Sequence, residues 1–154
     1  MRLECSSEVI EATLRFLQEA GRLRRECVVL WLGKRGDRAI HISRVYRPQQ
    51  NAKSDMFHIP QAGMAALHDE LRKGRLMVAA QVHSHPLEAF HSRADDEWAI
   101  VRHDDALSLV VPYFASTTTV HNFMQLTKVF KLSSAARWAE VPSAEVSREC
   151  LQII

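Results

Sequence analysis

At 154 residues, 47% hydrophobic and 25% charged, the chain has the balance of an ordinary globular protein and the length to bury a core without disulfides. Its 20 basic and 18 acidic residues nearly cancel, to a net charge of +2, which argues against nucleic acid or an anionic membrane as a partner. Cys5, Cys27 and Cys150 are odd in number, far apart and without a CxxC pair, so they fit a reduced chain better than a disulfide framework or a four-thiolate zinc site.

The opening segment, MRLECSSEVIEATLRF, carries charges where a signal peptide needs a continuous apolar core. No run approaches the roughly 20 apolar residues of a membrane span. The expectation is a cytoplasmic protein, one domain over residues 1–154, with no membrane partner. Ser6-Ser7-Glu8 supplies hydroxyl caps and a first-turn acid, and Val9, Ile10, Thr13, Leu14, Leu17 and Ala20 then recur at helical spacing up to Gly21. Arg22, Arg24 and Arg25 read as a solvated helix end, or as the rim of a groove for a partner.

Residues 26–33 form an apolar run typical of a buried strand, residues 34–37 a turn, and residues 38–46 its hairpin partner. A polar loop (47–55), a short strand (56–59) and a helix opening at Pro60 and stopping at Gly74 follow. Residues 76–83 predict a central strand. Ser92 is placed to cap a helix over 93–103 that turns Trp98, Ile100 and Val101 inward. Further strands are expected at 107–113, 120–124 and 126–132. Trp138 packs near the end, Ser143 caps a last short helix, and 151–154 form a weak strand. Helices among short strands predict an α/β or α+β fold with a single mixed sheet flanked by helices.

The chemistry concentrates in Gln81-Val82-His83-Ser84-His85-Pro86 and Ser92-Arg93-Ala94-Asp95. Alternate strand residues share a face, so His83 and His85 project together while Ser84 points away. Pro86 turns the chain out of the sheet just beyond them, and Asp95, one turn into the next helix, offers a carboxylate. Two imidazoles, one carboxylate and an open fourth place form the pattern of a catalytic zinc site, with Mn²⁺, Fe²⁺ or Co²⁺ as alternatives. Asp96 is an alternative ligand, or serves the helix dipole. His91 reads as an exposed loop histidine that could rim the site. His103, Asp104 and Asp105 read as solvated, and Trp31 as core. Each piece has a plainer meaning alone: strand-end histidines are commonly satisfied by backbone or water, and Ser-x-x-Asp is a capping pattern.

Taken jointly, His83-Ser84-His85-Pro86 followed by Ser92-Arg93-Ala94-Asp95 resembles the JAMM signature of JAB/MPN-domain metalloproteases. The likeness extends to Glu26, which stands before an early strand after a first helix, where that family has a glutamate. It implies a JAB/MPN, cytidine deaminase-like architecture over the whole chain, with Zn²⁺ held by His83, His85 and Asp95. It also implies Glu26 as general acid/base and Ser92 as oxyanion donor. Two departures stand out: the gap between Pro86 and Ser92 holds five residues, one fewer than in many members, and Val28 replaces a small residue after the glutamate.

The stretch from His83 to Asp96 resembles that of bacterial deconjugating proteases of ubiquitin-like antiphage operons of the CBASS and Bil types. That likeness implies a ubiquitin-like protein as substrate and E1-like and E2-like enzymes as partners. Loops 47–55 and 112–121 would grip the substrate tail. The alternatives are a protease maturing sulfur carriers of the ThiS or MoaD kind, and a non-catalytic MPN scaffold.

Overall fold

The computed structural model describes residues 1–52 and 57–154. Its elements run β1 (Arg2–Cys5), α1 (Ser7–Arg22), β2 (Val28–Arg35), β3 (Ala39–Tyr46), β4 (Asn51–Ala52), β5 (Phe57–His58), α2 (Gln61–Gly74) and β6 (Met77–Ser84). There follow α3 (Arg93–Trp98), β7 (Leu107–Val111), α4 (Phe123–Leu126), β8 (Lys128–Leu132), β9 (Trp138–Glu140), α5 (Ser143–Glu145) and β10 (Leu151–Ile153). Eight strands form one mixed sheet in the order β10-β1-β3-β2-β6-β7-β8-β9, and β4 pairs with β5 apart from it. This is the α+β architecture the sequence predicts. The strand expected from residue 56 begins, within the described residues, at Phe57. Residues 53–56 and the side chain of Trp98 lie outside that description.

Strand parity divides the core. Cys27, Val29 and Trp31 face α1, whose buried stripe is the predicted one: Val9, Ile10, Thr13, Leu14, Leu17 and Ala20. Burying each large aliphatic side chain of that stripe contributes roughly 1.5–3 kcal/mol. Trp31 is fully buried, and its indole N–H donates to Thr13 Oγ1 at 2.8 Å. A buried indole needs such an acceptor. The intervening residues Val28, Leu30 and Leu32 face the other way and pack on Leu67 of α2 with Met64 and Leu71. Gly33 sits at a bulge against β3, where a Cβ would meet the His41 carbonyl oxygen at 2.4 Å.

Several elements differ from expectation. Among them, residues 138–140 form a strand, β9, paired with β8 where only a packed Trp138 was expected, and Ser143 starts α5 without capping it, Pro142 being the N-cap. β1 is an additional strand, parallel to both β3 and β10. Residues 120–124 are not a strand: Asn122 Oδ1 accepts from Thr119 N at 2.6 Å and a short helix, α4, starts behind it. Side-chain turn chemistry overrides the apolar pattern there. Helix α3 stops at Trp98 rather than His103. β7 ends at Val111, because Pro112 leads into a left-handed turn in which Tyr113, Phe114 and Ala115 have φ of 54°, 53° and 60°.

Among the described residues no helix is long and apolar enough to cross a membrane. All three cysteines are free and buried. Burial pushes the Cys5 thiol up to about 12 and the Cys27 thiol up to about 11, so neither is a ready nucleophile at neutral pH.

Candidate metal centre

The centre grows out of β6. Its register sets Gln81 beside Leu30, and His83 beside Val28, on β2, so both polar residues lie on the sheet face covered by α2 and α3. Two residues further on, His85 N–H donates to Val111 O at 2.9 Å, which keeps the histidine in strand register after β6 ends. The two imidazoles lie 5.1 Å apart, centroid to centroid. Ser84 points to the opposite face, as expected, and its Oγ accepts the Cys27 N–H at 3.1 Å.

Helix α3 brings the carboxylate. Ser92 has extended backbone and forms a complete capping box: its Oγ accepts from Asp95 N at 3.1 Å, while Asp95 Oδ2 accepts from Ser92 N at 2.7 Å. This reciprocal pair fixes Asp95 at the helix start. Its Oδ1 lies 3.3 Å from His83 Nε2 and its Oδ2 3.1 Å from His85 Nε2. Burial pushes the Asp95 carboxyl up, but the hydrogen bonds from His83, His85 and the Ser92 backbone outweigh it and hold the group far below the usual carboxylate range. Asp95 is therefore an anion wedged between two imidazole nitrogens.

Glu26 follows from the same parity. It stands two residues before Val28, so it falls on the metal-facing side of β2. The residue is 2% exposed and its carboxylate lies 4.0 Å from His85 Nε2, beside the trio rather than within it.

Donor atoms of His83, His85 and Asp95 all lie within 4.8 Å of one another, and all three residues are buried. Buried ionisable groups are costly unless paired or bound to an ion. Two imidazoles and a carboxylate also form a donor set suited to a divalent transition metal. The residues fit a metal.

Asp96 is exposed and turns to His91 Nδ1 at 2.5 Å, so it is not part of the trio. His103, Asp104 and Asp105 are exposed, as predicted, with Asp105 paired to Lys131 at 3.2 Å. The expectation for His91 is corrected: its side chain is 4% exposed, closed in by Phe130 and Trp138 with ring centroids at 5.1 and 5.0 Å. The signal was present in polar Gln81 and Ser108, both inside apolar strands that had to supply polar partners on this face. Phe90, half exposed, stands edge-on to His85 at 4.6 Å, and Leu87 is exposed beside it. The left-handed turn holds this loop, since Tyr113 N–H donates to Leu87 O at 2.9 Å and Phe114 N–H to His85 O at 2.7 Å.

Residues 7–126 match the model of a family described as prokaryotic homologues of the JAB domain. The chain belongs to this family. Glu26, His83, His85, Ser92 and Asp95 all fall within the JAB match. The chain is also 35% identical, over 136 residues, to a probable metalloprotease, y4jG, of Sinorhizobium fredii; the alignment covers 86% of this chain and 82% of that one. The solution structure of protein DSY2949 from Desulfitobacterium hafniense superposes with a TM-score of 0.70 at 18% identity, covering 99% of this chain and 94% of the other. At that identity the likeness concerns the fold.

Proposed function

We propose that this JAB-domain protein is a zinc-dependent isopeptidase that removes a ubiquitin-like protein from its conjugates or trims its C-terminal extension. We place it in a bacterial antiphage conjugation system with E1-like and E2-like partners. The observation that carries the reading is the buried His83–His85–Asp95 trio with the Glu26 carboxylate 4.0 Å from its edge. The name of the Sinorhizobium relative, a probable metalloprotease, supports the peptidase class. The narrower substrate rests on the resemblance of the His83–Asp96 stretch to deconjugating proteases.

His83, His85 and Asp95 would hold zinc, whose three protein ligands leave one place for solvent or substrate. When bound, the metal supplies Lewis acidity, polarising the scissile carbonyl and acidifying a water molecule. Glu26 takes the proton of the attacking water on a carboxylate oxygen and delivers it to the nitrogen of the leaving amine. Among the described residues the Ser92 hydroxyl accepts from the Asp95 N–H, and its own hydrogen is available to donate to the charge developing on the substrate oxygen. Exposed Phe90 and Leu87 beside His85 give an extended apolar tail a surface to lie on.

The experiment joins metal analysis to cleavage. The purified chain should carry about one zinc per molecule and cut a fusion bearing the ubiquitin-like tail encoded beside its gene. A strong chelator should abolish cleavage. Glu26→Gln should lower kcat about 10²–10⁴-fold with zinc retained. Cleavage that survives both treatments would remove the mechanism, and a chain that binds no zinc would favour a scaffold. Cutting of sulfur-carrier precursors alone would redirect the substrate.

A further inference from the structure

Helix α3 carries Asp95 yet has six residues, far fewer than the roughly 12–15 an isolated helix needs to be even marginally stable in water. Something outside the helix must fix its place over β6. The capping box orders its first turn but does not tie it to the sheet.

Besides the contacts of Asp95 itself with His83 and His85, a chain of side-chain contacts makes that tie. Gln81, fully buried on β6, accepts the Ile100 N–H on Oε1 at 2.8 Å, just beyond the helix end. Its amide nitrogen donates to Ser108 Oγ at 3.1 Å, across a register that sets Gln81 beside Ser108 on β7. Ser108 Oγ is in turn 3.1 Å from His91 Nε2, and His91 Nδ1 is 2.5 Å from Asp96 Oδ1. The carboxylate can only accept, so for a neutral ring Nδ1–H donates to Asp96 and Nε2 accepts the Ser108 hydroxyl proton. The chain then runs in one direction, Gln81 to Ser108 to His91 to Asp96, with each donor used once. His91 also stands edge-on to His83, centroids 6.1 Å apart.

We infer that His91 is a positioning residue that staples α3 to β6 and β7, setting Asp95 opposite His83 and His85 before metal arrives. The inference rests on the reading of that trio as a metal site. Packing alone does not account for the arrangement. A leucine would fill the space against Phe130 and Trp138, whereas a buried imidazole in an apolar slot requires both nitrogens to be satisfied, and here both are. The staple also suits the five-residue gap after Pro86, because His91 pins that loop one residue before the cap.

The test is titration of cobalt(II) into the metal-free full-length chain, followed by its visible absorption bands and by unfolding of the metal-free protein. His91→Phe keeps a ring between Phe130 and Trp138 but loses both bonds. It should weaken cobalt binding about 10–100-fold and alter the band intensities, with the far-UV circular dichroism of the metal-free chain retained. Ser108→Ala, which deletes one oxygen, should weaken binding less, and the double variant should bind no worse than His91→Phe alone. Wild-type affinity and spectrum in His91→Phe overturn the inference. Should that variant not fold, Ser108→Ala decides: unchanged cobalt affinity overturns the inference and several-fold weaker binding supports it. A wild-type chain that takes up no cobalt overturns the metal reading and the staple with it, a result distinct from wild-type binding that the variants leave untouched.

Discussion

Ser92 is assigned two tasks, and three side chains at its position separate them. As a cap it accepts the Asp95 N–H at 3.1 Å; as a donor it would stabilise the charge developing on the substrate oxygen. Ala removes both and leaves an orphan helix N–H, at a cost of about 1 kcal/mol, whereas Gly at an N-cap costs only a few tenths. For a domain of this size about 1 kcal/mol lowers Tm by roughly 2–4 °C, so Ala should be visibly less stable and Gly nearly wild type. Loss of an oxyanion donor costs about 10²–10³ in kcat. A 1 kcal/mol change in stability shifts the folded-to-unfolded ratio only about fivefold, and for a chain folded well below its Tm that leaves kcat untouched. Both variants should therefore lose kcat equally while differing in Tm, measured by thermal unfolding of the zinc-loaded chain and by turnover of the ubiquitin-like fusion. A Ser92→Gly chain that keeps wild-type kcat would refute the donor role and leave Ser92 a cap alone.

Three further outcomes are expected. Asp95 has its folded pKa depressed, so its contribution is complete well above the unfolded carboxylate value of about 3.9 and is lost as pH falls through and below that value. In metal-free protein the stability difference between wild type and Asp95→Asn, read from urea midpoints, should hold from pH 7 to about 5 and shrink below; a flat difference down to pH 3 contradicts the assignment. Thr13→Val leaves the buried Trp31 indole N–H without its acceptor, costing about 1–3 kcal/mol. Cobalt affinity should not change, because α1 lies on the sheet face away from the metal residues. Arg75, exposed with φ of 52° at the C-cap of α2, is in the conformation glycine prefers. Arg75→Gly should raise Tm by about 1–4 °C, and a fall in Tm would show that the arginine side chain stabilises the cap.

What was legible in the sequence is what is encoded locally. The stripe of α1, the His83–His85 alternation and the Ser92–Asp95 cap each depend on neighbours within four residues, and each appears as expected. What was hidden depends on distant partners. β1 has only four residues, and its alternating burial makes sense once β3 and β10 flank it. The end of α3 was misjudged because the Ile100 N–H is taken by Gln81 Oε1, 19 positions earlier, a tertiary contact that no helix propensity anticipates. His91 was misplaced for the same reason, since its Nε2 partner Ser108 is 17 residues away.

These contacts share a location. The α1 face of the sheet is built on apolar packing, whereas the opposite face carries Gln81, His83 and Ser108, all fully buried, at its β6–β7 seam. Polar groups placed so deep are unfavourable unless paired, and the left-handed turn adds roughly 1–2 kcal/mol of strain at each of Tyr113, Phe114 and Ala115. The turn's N–H groups donate to the carbonyls of His85 and Leu87 on either side of Pro86. Strain and buried polarity therefore converge on one loop, the one that must hold His85 and deliver Ser92 across five residues. A fold selected only for stability would fill that seam with aliphatic side chains. Its polar construction is what a site needing fixed ligands before metal binding requires, and it explains why α3 can be so short and still hold Asp95 in place.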